Sequence, residues 1–323
     1  MNKKLAIVVL TWDDWKNTIE CLESIFNNSF KSFDVILVDN NSNAVHLEKI
    51  YEWSKNNIKV EDKEFNFDSS KKIEIIKVKN DFQIQDICKK KIYLIQNEKN
   101  LGLTAGLNVG YKFVINQRYD YLARIDCDFI ISKNYLENMV NLFQNDSSIA
   151  AASPKIKHAY LRDTVWWYHF KMDWFYLKFQ RTMNLQKKKI SDNLKLSGII
   201  ETDAICGCCS FYRIEKLKLS GLGDEEFFLG PEDIELSFRL KKFGKLISNL
   251  DCYTFHKIAR SSVVSGKFKR SYTDALGFLL LIKKIGTFSD KLFGYFYFIL
   301  RIPYFLILLI LKKREKDRFY GYF

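Results

Sequence analysis

Two uninterrupted apolar runs, Leu5 to Leu10 and Val35 to Val38, are rich in β-branched residues and end in polar residues at their carboxyl edges. That is the pattern of parallel strands buried on both faces. Between them Ile19, Leu22, Ile25 and Phe26 recur at helical spacing within Asn17 to Asn27, so the chain is predicted to open with a β-α-β unit. Ligands of such sheets gather beyond the carboxyl ends of the strands, which places Thr11-Trp12-Asp13 and Asp39-Asn40-Asn41-Ser42 at the expected mouth. A further strand, Lys91 to Ile95, leads through Asn97 to Gly102 into a helix that runs past Gly106 to Ile115, and Tyr121 to Ile125 closes on Asp126-Cys127-Asp128. Residues 56–91 are polar and lysine-rich apart from Ile73 to Val78, and are predicted to be an insertion.

The amino terminus does not change this reading. Asn2-Lys3-Lys4 precedes an apolar run of only six residues with no small-residue cleavage site, too short for the core of a secretory signal and suited to a buried strand. With 47% hydrophobic and 28% charged residues, three prolines and 14 glycines in 323 positions, wholesale disorder and collagen-like or Gly/Ser-linker organisation are excluded. Seven cysteines without a pairing pattern suit thiols in a reducing compartment.

The net charge of +13 is unevenly placed. Residues 257–323 hold fourteen Lys/Arg against four Asp/Glu, or +10, leaving 37 basic and 34 acidic groups in the first 256 residues. That body is near neutral and unlike a nucleic-acid-binding domain with a basic face. The tail is also apolar over Ala275 to Ile282 and over Leu292 to Leu311, the latter interrupted by Arg301 and Pro303. Arg301 makes a bilayer span costly, so helices lying in the headgroup region of an anionic membrane are expected ahead of a span. A buried helix at a domain or dimer interface is the alternative.

Several residue groups carry candidate chemistry. Asp126 and Asp128 alternate at a strand end, suited to bracketing a hard cation on a diphosphate or to a solvated turn. Gly230 to Gly244 is punctuated as a helix, with Pro231 predicted at the first helical position, acids in the first turn and Gly244 beyond the end. Glu232 and Asp233 there either complement the helix dipole or supply a general base. His256 follows a strand-like run, Leu250 to Phe255, and is open to both a packing and a ligand role. Gly102, Gly106 and Gly110 are spaced four apart, unlike a dinucleotide fingerprint, and serve either close helix packing or a nucleotide. Cys206, Cys208 and Cys209 lack a second pair at zinc-ligand spacing and read as small apolar strand residues. Trp166 and Trp167 open a dense aromatic stretch that includes Trp174, Phe175 and Tyr176, suited to stacking on sugar rings.

Taken in order, these segments resemble a family 2 glycosyltransferase of the GT-A fold, especially its rhamnosyltransferase-like members. Val8 to Trp15 resembles that family's first strand and nucleotide loop, Val35 to Ser42 its second strand, and Asn100 to Gly110 its N-L-G-F-A-G-G-N-N-x-G stretch. Arg124 to Asp128 resembles the D-x-D segment, while Gly207 to Arg213 and Gly223 to Arg239 resemble the acceptor-side G-x-x-x-x-x-R and F-F-x-x-x-E-D-x-x-L-x-x-R patterns. Leu103, Ala105 and Leu107 depart from the family's Phe, Gly and Asn.

The resemblance covers roughly residues 4–260. It implies a Rossmann-like mixed α/β sheet flanked by helices over 1–256, with a nucleotide-sugar half (1–130), an acceptor half (131–256) and the membrane-associating helical region 257–323 outside the pattern. It also implies inverting, Mn²⁺- or Mg²⁺-dependent transfer of a hexosyl or deoxyhexosyl group from a nucleotide-diphosphate sugar; taken with the basic, apolar tail, a glycan or lipid-linked acceptor at the cytoplasmic face of the membrane is expected. Donor contacts would come from Thr11, Trp12, Asp13, Asp39, Asn41, Asn100, Gly102, Gly106, Asn108, Arg124 and Asp126. Asp126, Asp128 and His256 would hold the metal, Asp233 with its neighbour Glu232 would deprotonate the acceptor, and Trp166 and Trp167 would line the acceptor site. A catalytically silent glycan- or lipid-binding protein and a sugar nucleotidyltransferase are the alternatives.

Overall fold

The computed structural model describes residues 3–62, 65, 67, 72–79, 81–87, 89–161, 164–173, 178–181, 196–228, 230–257, 276–277, 279–292, 294–296 and 299. The first half runs β1 (Leu5–Thr11), α1 (Trp15–Phe26), β2 (Phe33–Asp39), α2 (Ala44–Ser54), β3 (Ile75–Lys77), β4 (Ile92–Gln96), α3 (Gly102–Ile115), β5 (Tyr121–Ile125) and β6 (Phe129–Ile131). The second half runs α4 (Tyr135–Asn145), β7 (Ile149–His158), β8 (Val165–Trp167), β9 (Phe170–Asp173), β10 (Lys178–Arg181), β11 (Ile199–Glu201), β12 (Cys209–Arg213), α5 (Ile214–Ser220), α6 (Glu232–Leu240) and β13 (Lys245–His256).

One mixed sheet carries the molecule, in the order β11-β13-β7-β12-β5-β1-β2-β4-β3, with β6 added to β13 and β8 to β7. β1 lies parallel between β2 and β5. Because α1 leads to one neighbour and the later chain to the other, a crevice opens at their carboxyl ends. Alternation in β1 and β2 feeds two cores. Leu5, Ile7, Val9, Val35 and Leu37 pack with α1, α2 and α4. Ala6, Val8, Ile36 and Val38 pack with α3, α5 and α6. Each such buried aliphatic side chain contributes about 1.5–3 kcal/mol.

Two stretches differ from expectation. The segment predicted as an insertion contributes β3, which extends the sheet edge in parallel with β4. The acidic helix begins one residue later than its proline suggested, with Pro231 as N-cap and Glu232 as the first helical residue. The fold class is the expected mixed α/β sheet between helices. Residues 276–277 and 279–285 are helical, as are 288–292 and 294–296, and no helix among the described residues is long and apolar enough to cross a membrane. The rest of the apolar run 292–311 and the tail to 323 lie outside the described residues, as do the side chains of Trp174, Phe175 and Tyr176.

Candidate active site

Strand register assembles the acidic cluster. β12 pairs with β5 so that Cys209 lies opposite Ile125, and the Asp126 N–H donates to the Cys208 carbonyl at 2.9 Å. The turn before β12 therefore crosses the end of β5. Its Gly207 N–H donates to Asp233 Oδ2 at 3.0 Å, and a methyl group on Gly207 would lie 2.7 Å from Asp233 Cβ and 2.8 Å from Arg124 Nη1. Glycine is what lets α6 approach.

Arg124, buried in β5, organises the carboxylates around it. Its Nε and Nη2 donate to Asp126 Oδ1 and Oδ2 at 2.9 and 3.3 Å, and its Nη1 donates to Glu232 Oε1 at 3.2 Å. Burial raises the Asp126 carboxyl above its ordinary value, and the Arg124 charge offsets only part of this. Glu232 is raised by burial first and by the Asp233 charge second, again only partly offset by Arg124. Glu232 is thus a buried counter-ion to Arg124, whereas Asp233 is half-buried and its carboxylate accepts from the backbone N–H groups of Gly207 and Ile234. Of the two residues predicted to act on the acceptor, Asp233 is the one that is not fully buried.

The second aspartate of the segment meets a residue 128 positions away. β13 pairs antiparallel with β6, setting His256 opposite Phe129, so the imidazole stacks on the Phe129 ring at 4.5 Å and its Nε2 lies 3.2 Å from Asp128 Oδ2. The Lys257 N–H donates to the Asp128 carbonyl at 3.0 Å, closing the corner. Asp126 is not in this pair, because Arg124 occupies both of its oxygens. Among the described residues no three His, Cys, Asp or Glu side chains form a metal cage. A carboxylate and an imidazole that converge fit a divalent cation whose coordination is completed by substrate phosphates and water. Asp128 and His256 are the residues that would hold it.

The expected donor side is a pair of interlocked loops. Asp13 and Asn41 both adopt left-handed backbone, with φ of 50° and 65°. Asp13 Oδ1 accepts from the Asn43 N–H at 2.7 Å, the Asp13 N–H donates to Ser42 Oγ at 3.0 Å, and Asp39 Oδ1 accepts from the Ser42 N–H at 3.1 Å. Trp12 projects into solvent. Thr11 is buried, with Oγ1 2.6 Å from Thr18 Oγ1 and 3.0 Å from His46 Nε2. Since the Thr18 hydroxyl donates to the Asp14 carbonyl at 2.6 Å, Thr11 donates to Thr18 and must accept from His46. The proton of His46 is therefore on Nε2, leaving the buried Nδ1 bare.

The residues expected around the start of α3 have other work. Gly102 takes φ +80°, and a Cβ there would meet the Phe228 ring at 2.6 Å. Its N–H donates to Asn100 Oδ1 at 2.9 Å, and the Leu103 N–H donates to the Phe228 carbonyl at 3.0 Å. Gly106 packs on Leu10, so the four-residue glycine spacing serves helix-on-sheet approach. Asn108 spends its amide on the Gly223 carbonyl (2.8 Å), Glu225 (2.9 Å) and the Gly223 N–H (3.1 Å). In place of the expected donor contact, Asn108 holds the loop that leads to α6. Trp166 stands edge-on to His256 at 4.5 Å, but Trp167, on the opposite face of β8, is buried in the core and cannot stack on an acceptor as expected.

Sequence reading did not single out Asn40 or His46. Asn40 Nδ2 donates to Asn100 Oδ1 and the Gly102 carbonyl, both at 3.0 Å, and its Oδ1 accepts from Asn97 (3.1 Å) and the Leu101 N–H (3.0 Å), tying the loop after β2 to the loop that enters α3. Its signal was a fully polar residue directly after a buried strand. The arginines of the acceptor-side patterns are structural. Arg213 donates to the carbonyls of Phe143 (2.7 Å), Asp146 (3.0 Å) and Ile149 (3.0 Å), and Arg239 joins Glu235 (2.7 Å) to the Leu222 carbonyl (2.7 Å). A cleft of about 530 Å³ beside Asn138, Asn141, Lys245 and Asn249 lies along the first half of β13, away from His256.

Residues 68–218 match glycosyl transferase family 2. The match covers just under half of the chain, and the fold is that of GT-A glycosyltransferases. The chain superposes on GalNAc-T7, solved with UDP, GalNAc and Mn²⁺, at a TM-score of 0.59 and 15% identity, over 87% of this chain and 48% of that one. It superposes on the mannosyltransferase PcManGT from Pyrobaculum calidifontis, solved with GDP-Man and Mn²⁺, at 0.56 and 12% identity, over 89% and 66% of the two chains. S. aureus TarS 1-349 with UDP-GlcNAc follows at 0.50 and 14% identity, over 89% and 69%. The chain thus spans about half of GalNAc-T7 and just under two thirds of PcManGT. No curated protein matches its sequence.

Proposed function

We propose that this chain transfers a hexosyl or deoxyhexosyl group from a nucleotide-diphosphate sugar to a hydroxyl of a glycan or lipid-linked acceptor, with inversion. The observation that carries the reading is the convergence of Asp233, fixed by the Gly207 amide, with the Arg124–Asp126 strand end and the Asp128–His256 pair. Solved structures of the same fold with nucleotides or nucleotide sugars, two of them also with Mn²⁺, support it.

Asp233 accepts the proton of the acceptor hydroxyl as its oxygen bonds to the anomeric carbon, while the bond from that carbon to the diphosphate breaks on the opposite face. The Gly207 N–H fixes one Asp233 oxygen, so the carboxylate does not reorient between ground and transition states. Arg124 keeps Asp126 and Glu232 in place behind it. A divalent cation at Asp128 and His256 would supply charge stabilisation for the departing diphosphate. The interlocked Asp13 and Asp39 loops supply a rigid floor for the nucleotide.

A panel of radiolabelled sugar nucleotides with membranes as acceptor and Mn²⁺ or Mg²⁺ tests the proposal. Transfer from one donor that stops on chelation is expected. Absence of turnover with every donor would overturn it.

A further inference from the structure

The described part of the carboxyl-terminal region is a two-helix platform. Gly294 sits against Ile282, where a Cβ would approach Ile282 Cδ1 to 2.8 Å, and Leu281 and Ile282 are fully buried. With that face turned inward, Phe288, Leu292, Tyr295, Phe296 and Ile299 recur at helical spacing on the outer side. They are exposed by 84%, 60%, 40%, 57% and 61%, a continuous stripe of large apolar side chains in water. Lys283 is exposed and Lys291 half-buried, within a region whose net charge is +10.

The platform is joined to the loop that ends in the catalytic acid. Lys284 Nζ pairs with Asp224 and, at 2.9 Å, with Glu226. Gly277 lies against the Gly230 carbonyl and Pro231, leaving no room for a Cβ. Glu232 and Asp233 follow directly. Whatever holds the stripe therefore also sets the orientation of the acceptor side.

We infer that the stripe of Phe288, Leu292, Tyr295, Phe296 and Ile299 lies in the interface of an anionic membrane and presents Asp233 to an acceptor that is itself lipid-linked; the acceptor half of this inference rests on the proposed sugar transfer. Charge selects this occupant. Lys283 is exposed and Lys291 half-buried beside the stripe, so a second copy on the same face would bring like charges together, whereas an anionic leaflet neutralises them. Aromatic and aliphatic side chains beside lysines suit the headgroup boundary.

The test uses the full chain carrying Phe288→Glu, Leu292→Glu and Phe296→Glu, at positions exposed enough to leave the body folded. Binding to phosphatidylglycerol–phosphatidylcholine vesicles is expected to weaken by about tenfold or more. Transfer to a polyprenyl-linked acceptor in those vesicles falls with it, while thermal stabilisation by the donor sugar nucleotide with Mn²⁺ is unchanged. In an independent measurement, the indole introduced by Phe288→Trp shifts to the blue when anionic vesicles are added and is quenched by interfacial lipid quenchers. Unaltered vesicle binding by the triple variant, an unshifted indole, or conversion of a dimer to a monomer in its place would overturn the inference. Vesicle binding that persists in a chain without any donor turnover would instead count against the sugar-transfer reading alone.

Discussion

The backbone N–H of Gly207 donates to Asp233 Oδ2 at 3.0 Å, joining the turn before β12 to the first turn of α6. The contact exists because position 207 has no side chain, so its substitution tests the arrangement. Gly207→Ala places a methyl group 2.7 Å from Asp233 Cβ and 2.8 Å from Arg124 Nη1. Overpacking of this kind costs about 1–3 kcal/mol. Steady-state kinetics should show kcat reduced by roughly tenfold to a hundredfold with donor KM little changed.

Arg124→Met strands the buried Glu232 and the half-buried Asp126 carboxylates. Removing one partner of a buried ion pair costs about 3–5 kcal/mol. The pH dependence has a definite sign. Both carboxyls already titrate above their ordinary values of 3.8 and 4.5, with burial the main cause. The native state therefore binds more protons than the unfolded state from those values upward, and stability falls as pH rises through that window. Without Arg124 the native values climb further. Urea denaturation should find the variant's deficit growing between about pH 4.5 and 7.

Asn108→Ala separates a structural role from a donor contact. The variant loses the bonds to Gly223 and Glu225, at about 1–3 kcal/mol for the polar groups left unpaired. Donor affinity by calorimetry should stay within a factor of about two, while hydrogen exchange across 223–228 accelerates. A selective loss of donor affinity would return Asn108 to the nucleotide site.

The sequence made the architecture legible where periodicity was strong. Strands β1, β2 and β5 and the helix between the first two followed from apolar runs that only a sheet covered on both faces explains. The D-x-D segment and the acids of α6 were visible as residue types, but their partners were not. That Asp126 faces Arg124 while Asp128 faces His256 depends on the alternation of β5 and on the pairing of β13 with β6, a register that no local pattern encodes. Likewise Trp166 and Trp167 look equivalent in sequence, and only the pleat of β8 sets Trp166 beside His256 and Trp167 in the core. Asn108 matched a family position, yet the loop it holds lies 115 residues ahead.

His46 offers a check on the donor-side floor. Burial is the main cause that lowers its pKa from the ordinary 6.5, against the pull of Asp39, Asp13 and Asp14. A lowered imidazole stabilises the fold fully above its unfolded value, and that contribution is lost as pH falls below it toward the native value. Nitrogen-resolved NMR at neutral pH should find the Nε2–H tautomer, and exchange protection of residues 11–14 should drop on acidification below about pH 6.5.

The central claim is that Asp233 removes the acceptor proton in a metal-dependent sugar transfer. Asp233→Asn tests it most directly, because the amide oxygen still accepts the Gly207 N–H and so preserves the position of the side chain. With the sugar nucleotide that most stabilises the chain in the presence of Mn²⁺, the variant should bind donor as the wild type does while the rate of transfer falls by about 10²–10⁴-fold. Transfer at the wild-type rate by Asp233→Asn would contradict the account.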